Sequence, residues 1–342
     1  MILVTGGTGL VGSHLLKQLI KGEESIRAIY RDEKSLNKIK HFFDLFEVSW
    51  SDVLKKVEWI KSDLLNPAVL EDAFIGVEYV YHCAAMVSFN KRDKNQMLKV
   101  NIEGTSNVVN LSLDYNIKKL CYVSSTAAIG NTTNGDFITE KIDWQNDVAL
   151  SKYSISKYFA EMEVWRGSEE GLDVVIVNPS IIIGGGDWNS SSSNLFLKVW
   201  NGLRFYTLGV NGFVCINDVV KSMTELMNSD IKNERYLVIA ENLTFQTLFN
   251  YISEYLNKPY PLILVRKWMT SVICNVEAIK SFLFKSNPLV TKESADSAMR
   301  ITKYSNQKIK KDLQFEFTPI KIAVKETADL FLKDNTDKFI RE

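Results

Sequence analysis

Hydrophobic and polar positions along this 342-residue chain follow two rhythms in turn. Short apolar runs at residues 1–5, 25–30, 57–61, 77–84, 119–125 and 173–177 predict strands. Between them, apolar residues recur at the spacing of a helix face. Val11, Leu15, Leu16, Leu19 and Ile20 mark the first helix, which Gly22 stops. A polar helical stretch runs through the forties, and residues 67–74, 95–113 and 151–168 predict further helices. Residues 79–83 are apolar almost throughout, as in a strand covered on both faces.

Beyond Pro179 the alternation fails. Residues 184–194 form a loop rich in Gly, Asp and Ser, followed by short strands near 213–216 and 236–239 with a helix between them. Residues 247–256 and 320–332 read as amphipathic helices, the second opening after Pro319. The pattern predicts an α/β fold. Residues 1–180, with 210–240 returning to them, make a doubly wound parallel sheet. Residues 181–209 and 241–342 make a smaller α/β substrate-binding part.

Composition narrows the partners. Lys+Arg and Asp+Glu each number 41, so no net field recruits nucleic acid or an anionic membrane. Cys83, Cys121, Cys215 and Cys274 stand far apart, which predicts reduced core thiols instead of a zinc site or a disulfide framework. Strand-like sequence from Ile2 leaves no room for a signal peptide. The apolar stretch 261–284 is broken by Arg266, Lys267, Glu277 and Lys280, so no plain membrane span is expected, and the predicted location is cytoplasmic.

Gly6-Gly7-Thr8-Gly9-Leu10-Val11-Gly12 lies directly between the first strand and the first helix. Gly6, Gly9 and Gly12 permit a tight turn, close approach of backbone to a pyrophosphate, and close helix packing. The helix N-terminus adds free N–H groups and positive dipole. With Thr8, Leu10 and Val11 this segment is the expected dinucleotide cradle. The second strand ends in Tyr30-Arg31, and the planar fork of Arg31 suits the 2′-phosphate of NADP. Asp32 follows at once and keeps NAD open. Asp63, with Leu64 beside it, closes the third strand and can accept from an adenine amino group, or else serve as the carboxylate opening the helix at Pro67.

Tyr153 and Lys157 stand four residues apart, on one helix face. A nearby ammonium favours phenolate and draws a tyrosine toward useful acid–base chemistry. The strand at 119–125 ends in Ser124-Ser125, where the carboxyl ends of the sheet should bind ligand.

With these motifs the chain resembles the extended short-chain dehydrogenase/reductase superfamily, almost end to end. The likeness includes the glycine loop, His82-Cys83-Ala84-Ala85, Asn101-Ile102-Glu103-Gly104-Thr105, Val123-Ser124-Ser125, and Tyr153 to Lys157 with Ala160-Glu161. Asn178-Pro179-Ser180 and the run from Phe213 to Val219 complete it. The resemblance implies a Rossmann-type fold, with Tyr153 as proton donor and acceptor. It implies Lys157 as ribose ligand and Ser125 as the hydroxyl that positions the reacting oxygen. Ala84 and Ala85 would flank the cofactor, Pro179 would lie near the nicotinamide, and Asn101 would brace the fold. A homodimer through the helices holding Asn101 and Tyr153 is implied too.

Within the superfamily, the run Ile26 to Asp32 is similar to the dihydroflavonol-reductase branch. Ser125-Thr126-Ala127 lacks the acid pair of dehydratases, and Asn178 replaces the usual arginine before Pro179. Residues 209–213 carry no cation to grip a diphosphate, although Arg204 could serve from a neighbouring segment. The expected activity is therefore NADP-dependent interconversion of a ketone or aldehyde with an alcohol. An NAD-dependent nucleotide-sugar epimerase is the alternative. His14, His41 and His82 are expected to be structural or surface residues. Trp188 either stacks on a flat substrate or anchors its loop. The run 308–311 with Asp312 predicts a solvated helix face, and the aromatic stretch 268–284 a core or a lipophilic lid.

Overall fold

The computed structural model describes residues 1–88, 91–130, 136–142, 144, 151–266, 269 and 298–341. Its strands are β1 (Ile2–Thr5), β2 (Ile26–Tyr30), β3 (Val57–Lys61), β4 (Tyr79–His82), β5 (Lys119–Val123), β6 (Val174–Pro179) and β7 (Ile181–Ile183). β8 (Phe205–Tyr206), β9 (Val210–Cys215), β10 (Glu234–Val238), β11 (Glu241–Thr244) and β12 (Ile263–Leu264) follow. The helices are α1 (Leu10–Leu19), α2 (Glu33–Leu45), α3 (Trp50–Lys56), α4 (Pro67–Leu70), α5 (Lys94–Asp114) and α6 (Lys152–Glu169). After them come α7 (Asn194–Trp200), α8 (Ile216–Asn228), α9 (Phe245–Tyr255), α10 (Gln307–Leu313) and α11 (Ile320–Arg341).

Seven strands form one parallel sheet in the order β10-β6-β5-β4-β1-β2-β3. The order reverses at β1, opening the crevice where a doubly wound sheet takes its ligand. Successive side chains of a strand face opposite ways, and the core divides accordingly. Ile2, Val4, Cys121, Val123, Val175 and Val177 pack with Leu15 and Leu16 of α1, Phe42 of α2 and Leu226 of α8. Leu3, Leu120, Tyr122, Val174 and Ile176 pack on the other face with Val108 and Val109 of α5 and Val164 of α6. Each aliphatic side chain fully buried this way contributes roughly 1.5–3 kcal/mol.

The smaller part is a three-stranded sheet, β11-β9-β7, antiparallel and then parallel. Phe213 of β9, Phe196 of α7, Leu248 of α9 and Phe331 of α11 build its core. β8 and β12 form a separate parallel pair.

Several elements differ from the pattern-based expectation. The helix expected at 67–74 divides into α4 and a 3-10 turn, Glu71–Phe74, before Gly76 turns the chain at φ +75°. Ile216, expected in a strand, opens α8, where Thr318 donates to the first-turn carboxylate Asp218. The 308–312 run is not simply solvated. Lys308 lies 4.3 Å over the ring of Tyr236, and Asp312 accepts from the Tyr236 hydroxyl at 3.0 Å.

Trp188 is an anchor: it is 5 % exposed and donates to Asp334 at 2.6 Å. The other carboxylate oxygen of Asp334 lies 3.1 Å from Nε2 of His41. Lys38 pairs with Asp187 at 2.6 Å, and the Gly185 carbonyl meets His14 at 2.8 Å. The strap 184–188 is thereby tied to α1, α2 and α11. Apart from Met269, the stretch 268–284 lies outside the described residues, as does Cys274. Cys83, Cys121 and Cys215 are free thiols. Among the described residues no helix is long and apolar enough to cross a membrane, and no group of three or more His, Cys, Asp or Glu side chains could hold a metal.

Candidate active site

The glycine turn is built for close approach. Gly6 has φ +67°, and a Cβ there would lie 2.5 Å from the backbone N of Ala84. A Cβ on Gly12 would lie 2.2 Å from the Gly6 carbonyl oxygen, so α1 sits directly on the turn. Gly9 is exposed and caps α1 with no side-chain hydrogen bond, leaving the first-turn N–H groups to a ligand. Thr8, Leu10 and Val11 are half-buried around it. This tight turn, with an uncapped helix N-terminus behind the exposed Gly9, fits a dinucleotide pyrophosphate.

At the end of β2, Arg31 is exposed and its Nε lies 3.5 Å from Asp32. The Asp32 carboxylate is committed elsewhere. It caps α2 by accepting from the backbone and hydroxyl of Ser35, both at 2.8 Å, and these bonds hold its carboxyl below the usual range. Asp63 is exposed and accepts from Leu65 N at 3.0 Å, closing a local turn. Leu64 is turned away from that surface. Its side chain is buried against Gly104, and its carbonyl accepts from Asn107 at 2.7 Å. Ala84 is half-buried, Ala85 is exposed, and Pro179 ends β6 beside Val238.

Past the end of β5 the two serines separate, as strand alternation requires. Ser124 shares a face with Tyr122 and donates to Glu161 of α6 at 2.5 Å. The Ser125 hydroxyl accepts from Ala127 N at 3.1 Å and is hydrogen-bonded to the Tyr153 phenol. Burial raises the Tyr153 pKa, and the Ser125 bond opposes the rise. α6 starts at a Ser151 cap, whose hydroxyl accepts from Ser154 N at 3.0 Å, so Tyr153 occupies its first turn.

Lys157 lies one turn along and is 1 % exposed. Its amine donates to the Tyr122 hydroxyl and the Val123 carbonyl, each at 2.9 Å. Burial lowers its pKa to about 7, against the pull of Glu161 and Cys83. Glu161 is itself fully buried. Besides Ser124 it takes Asn178 at 2.8 Å and Arg235 at 3.1 Å. Asn101 braces the fold: it bonds both backbone groups of Met86, at 2.7 and 3.0 Å, and the Ser156 hydroxyl at 3.0 Å.

The structure thus brings Ser125 and Tyr153 together with Lys157 behind them, and ranges Gly6, Arg31, Asp63, Ala84 and Pro179 along the carboxyl ends of adjacent strands. Glu161, Tyr122 and Arg235 are parts of the site that sequence reasoning did not single out. Only the placement of Glu161 one turn beyond Lys157 offered a signal.

Comparison with known proteins agrees with the fold. Residues 2–238 match the model of the NAD dependent epimerase/dehydratase family. The chain is 30% identical over 265 residues to sterol demethylase protein B of Methylococcus capsulatus, covering 76% of this chain and 75% of that protein. It is 24% identical over 293 residues to dihydroflavonol 4-reductase of Arabidopsis thaliana, covering 82% and 74%. Its fold superposes on UDP-glucose 4-epimerase of Thermotoga maritima with a TM-score of 0.75, at 20% identity and 97% and 99% coverage. A glycine turn at the reversal of a seven-stranded parallel sheet, and a family match running from β1 through β10, lead to one conclusion: the chain belongs to the NAD-dependent epimerase/dehydratase family, within the extended short-chain dehydrogenase/reductase superfamily.

Proposed function

We propose that this protein is an NADP-dependent reductase that interconverts a ketone or aldehyde with an alcohol, using Ser125, Tyr153 and Lys157. The observation that carries this reading is the hydrogen bond between the Ser125 and Tyr153 hydroxyls, with Lys157 buried one helical turn beyond Tyr153. A reduced nicotinamide, when bound, supplies the hydride. Ser125 donates to the substrate oxygen and fixes its position as negative charge develops there. Tyr153 gives that oxygen its proton; its raised pKa keeps the phenol protonated at neutral pH, the form that reduction requires. The charge on Lys157 favours the phenolate left behind and so supports the proton's departure.

The bare N-terminus of α1 would hold the pyrophosphate. Arg31 would hold a 2′-phosphate, and the engagement of Asp32 in the α2 cap supports NADP over NAD. β9 supports carbonyl reduction over sugar-nucleotide chemistry, because Val210, Asn211 and Gly212 bring no cation for a diphosphate. Arg204, the substitute considered from sequence, is exposed ahead of β8.

The test is NADPH oxidation by the purified protein over a panel of ketones and aldehydes, with Tyr153→Phe as control. Turnover lost in the variant supports the reading. Co-purified NAD together with epimerisation of a UDP-sugar would replace it.

A further inference from the structure

Behind Lys157 runs a line of buried polar groups that the proposed chemistry does not use. The Lys157 amine meets the Tyr122 hydroxyl at 2.9 Å, and that hydroxyl is bonded to Thr105 of α5. The Thr105 hydroxyl lies 3.0 Å from Nε2 of His82, and Nδ1 of His82 lies 2.6 Å from the Thr5 hydroxyl. Thr5 directly precedes the glycine turn and also accepts from Ala84 N at 3.4 Å. The His82 ring stacks on Tyr122 at 5.3 Å. Thr5, His82, Thr105, Tyr122 and Lys157 are each at most 1 % exposed, so an orphaned donor would find no water to satisfy it.

With the amine charged, donor counting sets the direction of every bond. An ammonium can only donate, so Tyr122 accepts from Lys157 and its own proton goes to Thr105. The Thr105 proton goes to Nε2 of His82, and the imidazole carries its proton on Nδ1, facing Thr5. A neutral amine gains a lone pair and so permits the reverse line: its nitrogen accepts a hydrogen bond from the Tyr122 hydroxyl while an N–H still serves Val123, Tyr122 accepts from Thr105, Thr105 accepts from Nε2–H, and Nδ1 accepts from Thr5.

We propose that His82 is a positioning residue for Lys157, acting through Thr105 and Tyr122, and that its tautomer switches with the charge of that amine. The inference rests on Lys157 acting in the site proposed above. Both states of the amine are populated near neutrality, because burial brings its pKa to about 7. His82 stays uncharged, since burial first and the Lys157 charge second lower its pKa to about 3. The groups facing the amine are Glu161 from α6, Tyr122 from β5, and His82 and Cys83 from the end of β4.

The chain has 3 histidines, so ring-nitrogen NMR of the cofactor-free protein resolves His82, while ¹³C-labelled lysine reports Lys157 through the signal lost in Lys157→Arg. The expected result is a change from Nδ1–H to Nε2–H at the pH where Lys157 titrates. Thr105→Val should abolish the tautomer change and leave Lys157 titrating, whereas Thr105→Ser should restore it. One His82 tautomer throughout, a change at another pH, a switch that survives Thr105→Val, or a Lys157 that does not titrate between about pH 5 and 10 would overturn the proposal. A switch in a protein that reduces no carbonyl would leave the coupling standing and remove the reductase reading. Turnover without a switch would do the reverse.

Discussion

The side-chain amide of Asn178 donates to the backbone carbonyl of Ser125 across 3.0 Å, so the end of β6 holds the end of β5. The same amide reaches Glu161 at 2.8 Å, and Ser124 reaches Glu161 from the other side. One buried carboxylate thus holds Ser124 and Asn178, which together fix the backbone at Ser125.

The two adjacent serines should therefore fail differently. Ser125→Ala is expected to lower kcat about 100-fold, the loss typical of a transition-state hydrogen bond, for ~1 kcal/mol of stability. Ser124→Ala takes a donor from the buried Glu161 and is expected to cost about 1–3 kcal/mol of stability, with the smaller kinetic effect. Denaturant unfolding and steady-state kinetics on both variants check this; the opposite pattern would assign the reacting hydroxyl to Ser124.

Arg235 is the only positive partner of Glu161 among the described ion pairs, at 3.1 Å. Arg235→Met leaves a buried carboxylate without its cation and should destabilise the fold by about 3–5 kcal/mol. Adding Glu161→Gln should recover part of that loss. Urea unfolding of the two single variants and the double variant measures the coupling, and an Arg235→Met cost under about 1 kcal/mol would contradict it.

Arg31→Ala should weaken NADPH binding by about tenfold more than NADH binding, because it removes a charged fork that only the 2′-phosphate uses. Fluorescence titration with each nucleotide decides the matter. Equal losses would assign the end of β2 to a nucleotide lacking that phosphate.

Two buried histidines make stability depend on pH. Burial lowers the pKa of His14 to about 4 and of His82 to about 3, from 6.5. Below pH 6.5 the unfolded chain binds protons that the folded chain refuses, so ν_U exceeds ν_N and stability falls as pH falls. The contribution is complete above the unfolded value and is lost toward the folded ones. Together they should remove about 3–4 kcal/mol between pH 7 and pH 5. Urea unfolding at the two pH values tests the loss, and His14→Gln should show about half of it from this source.

The parallel sheet and the glycine turn can be read from the sequence because strands and helices leave local periodicities, and because Gly6 and Gly12 stand where backbone meets backbone. Ser125 could be chosen over Ser124 only by resemblance; the coordinates add the alternation that turns Ser124 toward Glu161. β7 went unseen because Ile181–Ile183 is three identical residues with no period. α10 was legible as a helix, but its contacts were not, because Lys308 and Asp312 look like solvent-facing charges until Tyr236 is placed beside them. The line through His82 joins residues 23 and 77 positions apart, a separation at which no local pattern survives. Glu161 was visible only as part of a motif, and its partners come from three other elements.

Asp334 has a consequence for how the chain matures. It joins His41 across 293 positions and Trp188 across 146. Synthesis delivers α1 and α2 early and α11 late, and early segments settle first. A chain made only as far as α9 already ties the strap 184–188 to α1 and α2 through His14 and Lys38, and α11 then adds the carboxylate that joins Trp188 to His41.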